Sequence, residues 1–178
     1  KAIATKRLPL NFLTGDDFSA AYTDYIQPFL RKGVPSLFCS LVYLYENEEK
    51  TKRMEDIIMK TAASLEEYGT FTGKAATDEE KESPSVLVWA LLLKAHHYDQ
   101  VGKPVEALDI IEKAMQHTPT IIDLYSCKSK ILTNAGDLSS AASVADEARR
   151  LDLADRFLNS EAAKCLFRAD RTEQAEKT

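Results

Sequence analysis

Residues 86–107, VLVWALLLKAHHYDQVGKPVEA, open a pattern that returns twice further along the chain. Gly102, Gly136 and Asp170 stand 34 residues apart, and so do Ala107, Ala141 and Ala175, and Ala95, Ser129 and Ala163. A period of about 34 residues built on a helix–turn–helix unit is the tetratricopeptide signature. Small residues let paired helices approach, and each unit buries its apolar face only against its neighbours. In the first unit Ala95, Tyr98, Gly102, Ala107, Ile111, Ala114 and Pro119 take the consensus offsets in order. The second keeps Leu132, Gly136, Ala141, Ala145 and Ala148 but has Leu153 where the closing proline belongs, and the third stops soon after Ala175. The expected fold is therefore all-α, a tetratricopeptide-like solenoid of helical hairpins, with repeats over residues 86–119, 120–153 and a truncated 154–178.

Upstream, residues 1–68 read as degenerate hairpins of the same kind. Thr14-Gly15-Asp16-Asp17 starts a helix, with carboxylates at the positive end of the dipole. Phe18, Tyr22, Tyr25, Ile26 and Phe29 recur at helical spacing as far as Lys32 and Gly33. Pro35 opens a second apolar helix through Leu37, Phe38, Leu41, Leu44 and Tyr45. A third runs from Glu48 to Tyr68 with Met54, Ile57, Ile58, Ala62 and Leu65 inward, closed by Gly69. Residues 69–84 lose all periodicity and carry the acidic run Asp78 to Glu82, so they are expected to form an exposed loop.

The 178 residues suffice to bury roughly 70% of the unfolded surface, with no need of disulfides. At 44% hydrophobic and 29% charged, with 6 Gly and 6 Pro, the composition is that of a folded protein. Cys39, Cys127 and Cys165 are odd in number and set among apolar residues, which predicts buried, reduced thiols in a cytosolic or nuclear protein, and a cytoplasmic location is the one expected. No apolar run approaches a membrane span or a secretion signal, so no membrane partner is expected. A net charge of −5 argues against nucleic acid as the main partner. The first residue is not Met, and Thr172 to Thr178 read as the opening of a helix, so the chain is expected to be a piece of a longer polypeptide.

Chemistry is sparse. His96 and His97 are adjacent on a helix, so their rings point about 100° apart and cannot share an ion; one packed and one exposed histidine is the expectation. Asp99 and Asp123 lack a second acid or base, and the Ser126-Cys127 pair and Cys165 lack a positioned base and an oxyanion site. No phosphate-binding loop or nucleophile elbow is present. Tyr22, Tyr25, Tyr43, Tyr45, Trp89 and Tyr98 could form a recognition stripe, but their helical spacing beside aliphatic residues favours core packing. Lys128 and Lys130, then Arg156, Lys164 and Arg168, with Arg149 and Arg150 between, form a basic set on successive first helices. Stacked first helices line one concave wall, which would gather 128, 130, 164 and 168 into a cationic pocket for a phosphate-rich ligand or an acidic segment. A solvated mixed-charge face stands as the other reading.

Several segments then carry a family resemblance: KRLPLNFL at 6–13, RKGVPSLF at 31–38, HYD at 97–99, HTPT at 117–120, AGD at 135–137 and, most distinctive, LDLADRFLNS at 151–160. Together they resemble the auxiliary subunit of the NatA N-terminal acetyltransferase, over residues 6–176. The resemblance implies a non-catalytic helical scaffold that wraps and activates a GNAT-fold catalytic subunit and tethers it to the ribosome for co-translational acetylation. The acetyl-CoA site would belong to that partner. It also implies inositol hexakisphosphate held by basic residues, for which Lys128, Lys130, Arg156, Lys164 and Arg168 are the matching positions. Glu161 and Cys165 depart from the Lys and Tyr usual in the family, which would lower polyphosphate affinity. The alternative is a generic adaptor gripping an extended peptide of another protein, although Leu92, His96 and Glu161 spoil a carboxylate clamp.

Overall fold

The computed structural model describes residues 3–75 and 77–178, and side chains from residue 5 onward; residues 1, 2 and 76 lie outside the described residues. Its helices are α1 (Ile3–Arg7), α2 (Pro9–Phe12), α3 (Gly15–Lys32), α4 (Glu48–Tyr68), α5 (Pro84–Gln100), α6 (Pro104–His117), α7 (Ile122–Ala135), α8 (Leu138–Leu151), α9 (Arg156–Arg168) and α10 (Thr172–Ala175). Among the described residues there is no strand, so the all-α hairpin class holds. The chain divides into two compact units, Lys1–Lys94 and Ala95–Thr178, and the division falls within α5 rather than in the 69–84 loop.

The first unit is built around α3 and α4, whose apolar stripes meet. Phe18, Tyr22, Ile26 and Leu30 pack with Met54, Ile58 and Leu65, and Val86, Ala90 and Leu93 at the start of α5 join the same core. Each large side chain removed from water here contributes about 1.5–3 kcal/mol. Lys50, only 8% exposed, donates from Nζ to the carbonyls of Leu10 (2.7 Å) and Asn11 (3.1 Å) and lies 5.2 Å from the Phe18 ring centroid. That ammonium satisfies carbonyls at the end of α2 that no helical partner reaches.

Three expectations are corrected in this unit. The apolar run after Pro35 is not an α-helix but two 3₁₀ segments, Pro35–Ser40 and Val42–Glu46. Phe38, Leu41 and Leu44 are all buried at a spacing of three, the period of the tighter helix, and the backbone bonds Leu41 N–H to Phe38 and Leu44 N–H to Leu41. Cys39 is exposed, because three residues per turn leave it on the face opposite that stripe. The 69–84 loop is exposed only in part: Thr70 is buried, Ser64 Oγ donates to its carbonyl and accepts from Gly73 N–H, and Phe71 lies under the Arg31 guanidinium. Arg31 also grips Glu82 with two donors, and Glu82 N–H bonds the Gly69 carbonyl (2.8 Å).

The second unit is a stack of hairpins, with α7 packed on α6 and α8, and α8 on α9. Its small residues are where the period requires them: Ala95, Ala107 and Ala141 are buried to 1% or less, and Ser129 Oγ donates to the Ala141 carbonyl at 2.9 Å. On α9 the fully buried alanine is Ala162, with Ala163 half-buried beside it.

A left-handed residue also ends α3. Gly33 has φ +63°, and its N–H and that of Val34 bond the carbonyls of Leu30 and Phe29. A Cβ at Gly33 would collide with the Trp89 indole. Gly33→Ala is therefore expected to destabilise the protein by about 1–3 kcal/mol, from both the left-handed backbone and the clash, read as a lower urea midpoint at unchanged slope.

Candidate partner-binding surface

The turn before α9 shows how the 151–160 segment spends its side chains. Asp152 Oδ1 accepts from Ala154 N–H (3.1 Å), Asp155 Oδ1 caps α9 by accepting from Phe157 N–H (2.7 Å) and Leu158 N–H (3.2 Å), and Asn159 donates to the Leu153 carbonyl (3.1 Å). Leu158 goes inward. The polar residues thus fold the turn on itself, while Leu153 (64% exposed) and Phe157 (65%) face solvent, with Leu151 and Phe167 also exposed. A folded segment that leaves its large apolar groups outside has the composition of a docking surface.

Along α9, Arg156, Ser160, Lys164 and Arg168 follow at intervals of four and share one face. Lys164 Nζ is 2.6 Å from Glu161 Oε1, which offsets part of that cation. Arg149 and Arg150 both turn back on Asp146, at 2.8 and 2.6 Å, and so supply little free charge. The repeat register puts Lys130 at the place on α7 that Lys164 takes on α9 and His96 on α5, while Arg168 corresponds to Asn134.

Lys128 does not join them. It is two residues from Lys130 and so points about 200° away. There its Nζ pairs with Glu112 of α6 at 2.5 Å, in a groove lined by Leu108, Leu132, Ser140 and Val144. The expected convergence of Lys128 with the other lysines fails because alternate positions of one helix cannot face one wall. The first-helix side is lined instead by Asn134, whose Nδ2 donates to both Asp99 carboxylate oxygens (3.1 and 2.9 Å), and by Lys130.

Lys130 is close enough to act on the only Cys–His contact in this region of the described residues, Cys127 Sγ 3.6 Å from His96 Nδ1. The contact has the makings of a nucleophile and a base but the opposite electrostatics. Burial, then the Asp99 charge, pushes the Cys127 thiol well up. Burial, then Lys130, brings His96 down to about 4. A protonated thiol beside a neutral imidazole is packing, not catalysis. His97 is fully buried and His96 is half-buried against Cys127 of α7, which corrects the expected division into one packed and one exposed ring. Tyr22 and Tyr25 are core, whereas Tyr43 is 36% exposed. No group of three or more His, Cys, Asp or Glu among the described residues could hold a metal, and no helix of the described residues is long and apolar enough to cross a membrane.

The residues that sequence reasoning passed over are Phe157 and Phe167. Their signal lies in the period: they replace Asp123 and Thr133 of the preceding repeat, half-buried polar positions of a first helix rather than core ones.

The family model described as "N-terminal acetyltransferase A, auxiliary subunit" matches residues 1–178. The Arabidopsis thaliana N-terminal acetyltransferase A complex auxiliary subunit NAA15 is 47% identical over all of this chain and 19% of that protein. The Mus musculus N-alpha-acetyltransferase 16, NatA auxiliary subunit, is 38% identical over 99% of the chain and 20% of its own length. Among solved structures, one described as Naa15/Naa10 bound to HypK-THB superposes with a TM-score of 0.83 at 34% identity, over 97% of this chain and 24% of the other. The chain thus spans about a fifth of the length of the relatives it matches.

The depressed His96 fixes a pH response. Its folded pKa lies below the unfolded value of about 6.5, so the unfolded chain binds the extra proton between those values, and stability is complete above about pH 6.5 and falls as pH drops toward 4. The expected loss from this ring is up to about 3 kcal/mol, and His96→Gln should flatten that part of the curve in urea titrations at successive pH values.

Proposed function

The chain belongs to the N-terminal acetyltransferase A auxiliary-subunit family, and on that footing we propose that it is a stretch of a non-catalytic scaffold whose α9 face holds a GNAT-fold catalytic subunit. The observation that carries this is the exposed set Leu153, Phe157 and Phe167 interleaved with Arg156, Lys164 and Arg168. Aromatic anchors ringed by arginine are the composition of energetically dominant interface residues. The protonated Cys127 thiol and the neutral His96 further support a chain that positions an enzyme rather than acting as one. The acetyl-CoA chemistry then lies with the partner, and the assembly works in the cytoplasm at the ribosome, acetylating nascent chains.

Because Phe157 and Phe167 touch solvent, Phe157→Ala with Phe167→Ala is expected to leave the urea midpoint unchanged. The same pair should weaken capture of the catalytic subunit by the full-length protein by roughly thirtyfold or more, measured by surface plasmon resonance. Unchanged affinity would refute the assignment of this face.

The same reading includes an inositol hexakisphosphate site on Lys130, Arg156, Lys164 and Arg168, with Lys128 set aside because Glu112 already pairs it. Glu161 opposes such a site directly through its bond to Lys164. Glu161→Lys is expected to tighten inositol hexakisphosphate binding by roughly tenfold in calorimetric titration of the assembled complex, and no heat from either form would retire the site.

A further inference from the structure

The acidic loop that the scaffold reading leaves unused contains an exposed hydroxyl at its tip. We propose that Thr77 is a phosphorylation site for an acidophilic serine/threonine protein kinase. Three carboxylates follow it directly, Asp78, Glu79 and Glu80, and all four residues are exposed, the Asp78 side chain at 96%. Kinases of this class read carboxylates just after the acceptor through basic pockets, so both the charge and its position suit them.

The backbone makes the hydroxyl deliverable. Thr77 lies outside the α-helices, as the N-cap residue of the three-residue 3₁₀ turn Asp78–Glu80: its N–H and Oγ1–H both donate to Glu80 Oε2 at 3.2 Å, its carbonyl accepts from Glu80 N–H at 2.9 Å, and Lys81 pairs with Asp78 at 2.7 Å, all of these groups belonging to exposed residues. Opening that cap costs little, because every group in it is solvated. The loop is pinned at Thr70 and Gly73 by Ser64 and at Glu82 by Arg31, so Thr77 and the turn Asp78–Glu80 can extend into a kinase cleft while the core beneath keeps its packing. Thr14 offers the contrast. Asp16 and Asp17 follow it, yet it is the N-cap residue of the 18-residue α3, whereas Thr77 heads a turn of only three residues, so the Thr14 segment cannot extend without fraying a long helix.

In the reaction Thr77 Oγ1 attacks the γ-phosphorus of kinase-bound ATP. The new O–P bond forms as the bond to the β-phosphate oxygen breaks, ADP leaves, and the hydroxyl proton passes to the kinase's base. The product puts a charge of about −2 where Thr77 now donates to Glu80, so the cap is lost and the tip loosens.

The test is to treat the full-length protein with ATP and a purified acidophilic kinase and to map modified peptides by mass spectrometry. The expected result is a phosphoryl group on Thr77 that Thr77→Ala abolishes. Glu79→Gln with Glu80→Gln should slow its appearance by roughly tenfold or more, the worth of a charge-assisted contact. Glu79→Gln alone, which leaves the cap intact, should also slow it. Phosphate on Thr14 but not Thr77, no phosphate on either, or a rate indifferent to both glutamines would overturn the proposal.

Discussion

Every first helix of the repeat array has to stop and reverse at the same place, and one backbone device does it. Gly102, Gly136 and Asp170 have φ of +75°, +89° and +59°, the left-handed region in which a residue can turn a helix end back on itself. The bonds that close the turns repeat at the same interval: Lys103 N–H to the Tyr98 carbonyl (2.8 Å), Asp137 to Leu132 (3.0 Å) and Arg171 to Leu166 (2.9 Å). Asp170 is the only positive-φ residue other than glycine among the described residues, and aspartate is one of the few side chains that tolerate the conformation. With the reversal fixed, the second helix returns along the first, and Ala107, Ala141 and Ala175 let the two come close.

That geometry is also what produces the surface. A fixed register makes position 123 equivalent to 157 and 133 to 167, so a change from Asp to Phe or from Thr to Phe places an aromatic ring in the open without disturbing the hairpin. The turn residues Asp152, Asp155 and Asn159 satisfy backbone groups locally, which frees Leu153 and Phe157 from any part in the core. On the proposed reading, stability and recognition fall to different side chains of one short segment. The buried Cys127 and His96, by contrast, belong to the packing, held in uncharged forms by the same burial that makes them good core residues.

Legibility followed the physics of each element. The hairpins after residue 86 could be read because small residues, left-handed turns and apolar stripes all obey one period, and the bounds of α3 and α4 could be read from Thr14, Gly33 and Gly69. The 3₁₀ segments could not, since apolar residues spaced by three, as at Phe38, Leu41 and Leu44, suit either helix until the backbone bonds are known. The basic set was legible as residues but not as a site. Lys128 and Lys130 look adjacent in sequence yet face opposite ways, and ion pairs with Glu112 and Glu161 decide how much charge is left. Phe157 and Phe167 are not legible as surface in the sequence, because an aromatic residue at helical spacing is usually core and only exposure tells the two uses apart.

On the proposed reading, the open face of α9 and the turn before it meet the catalytic subunit. Hydrogen–deuterium exchange of the full-length protein, alone and with its catalytic subunit, measures that directly. Slowed exchange concentrated in residues 151–168, on the turn and on α9, is expected. Unchanged exchange there, with protection appearing instead around Glu112, Lys128 and Ser140, would place the partner on the opposite side of the hairpins and contradict it.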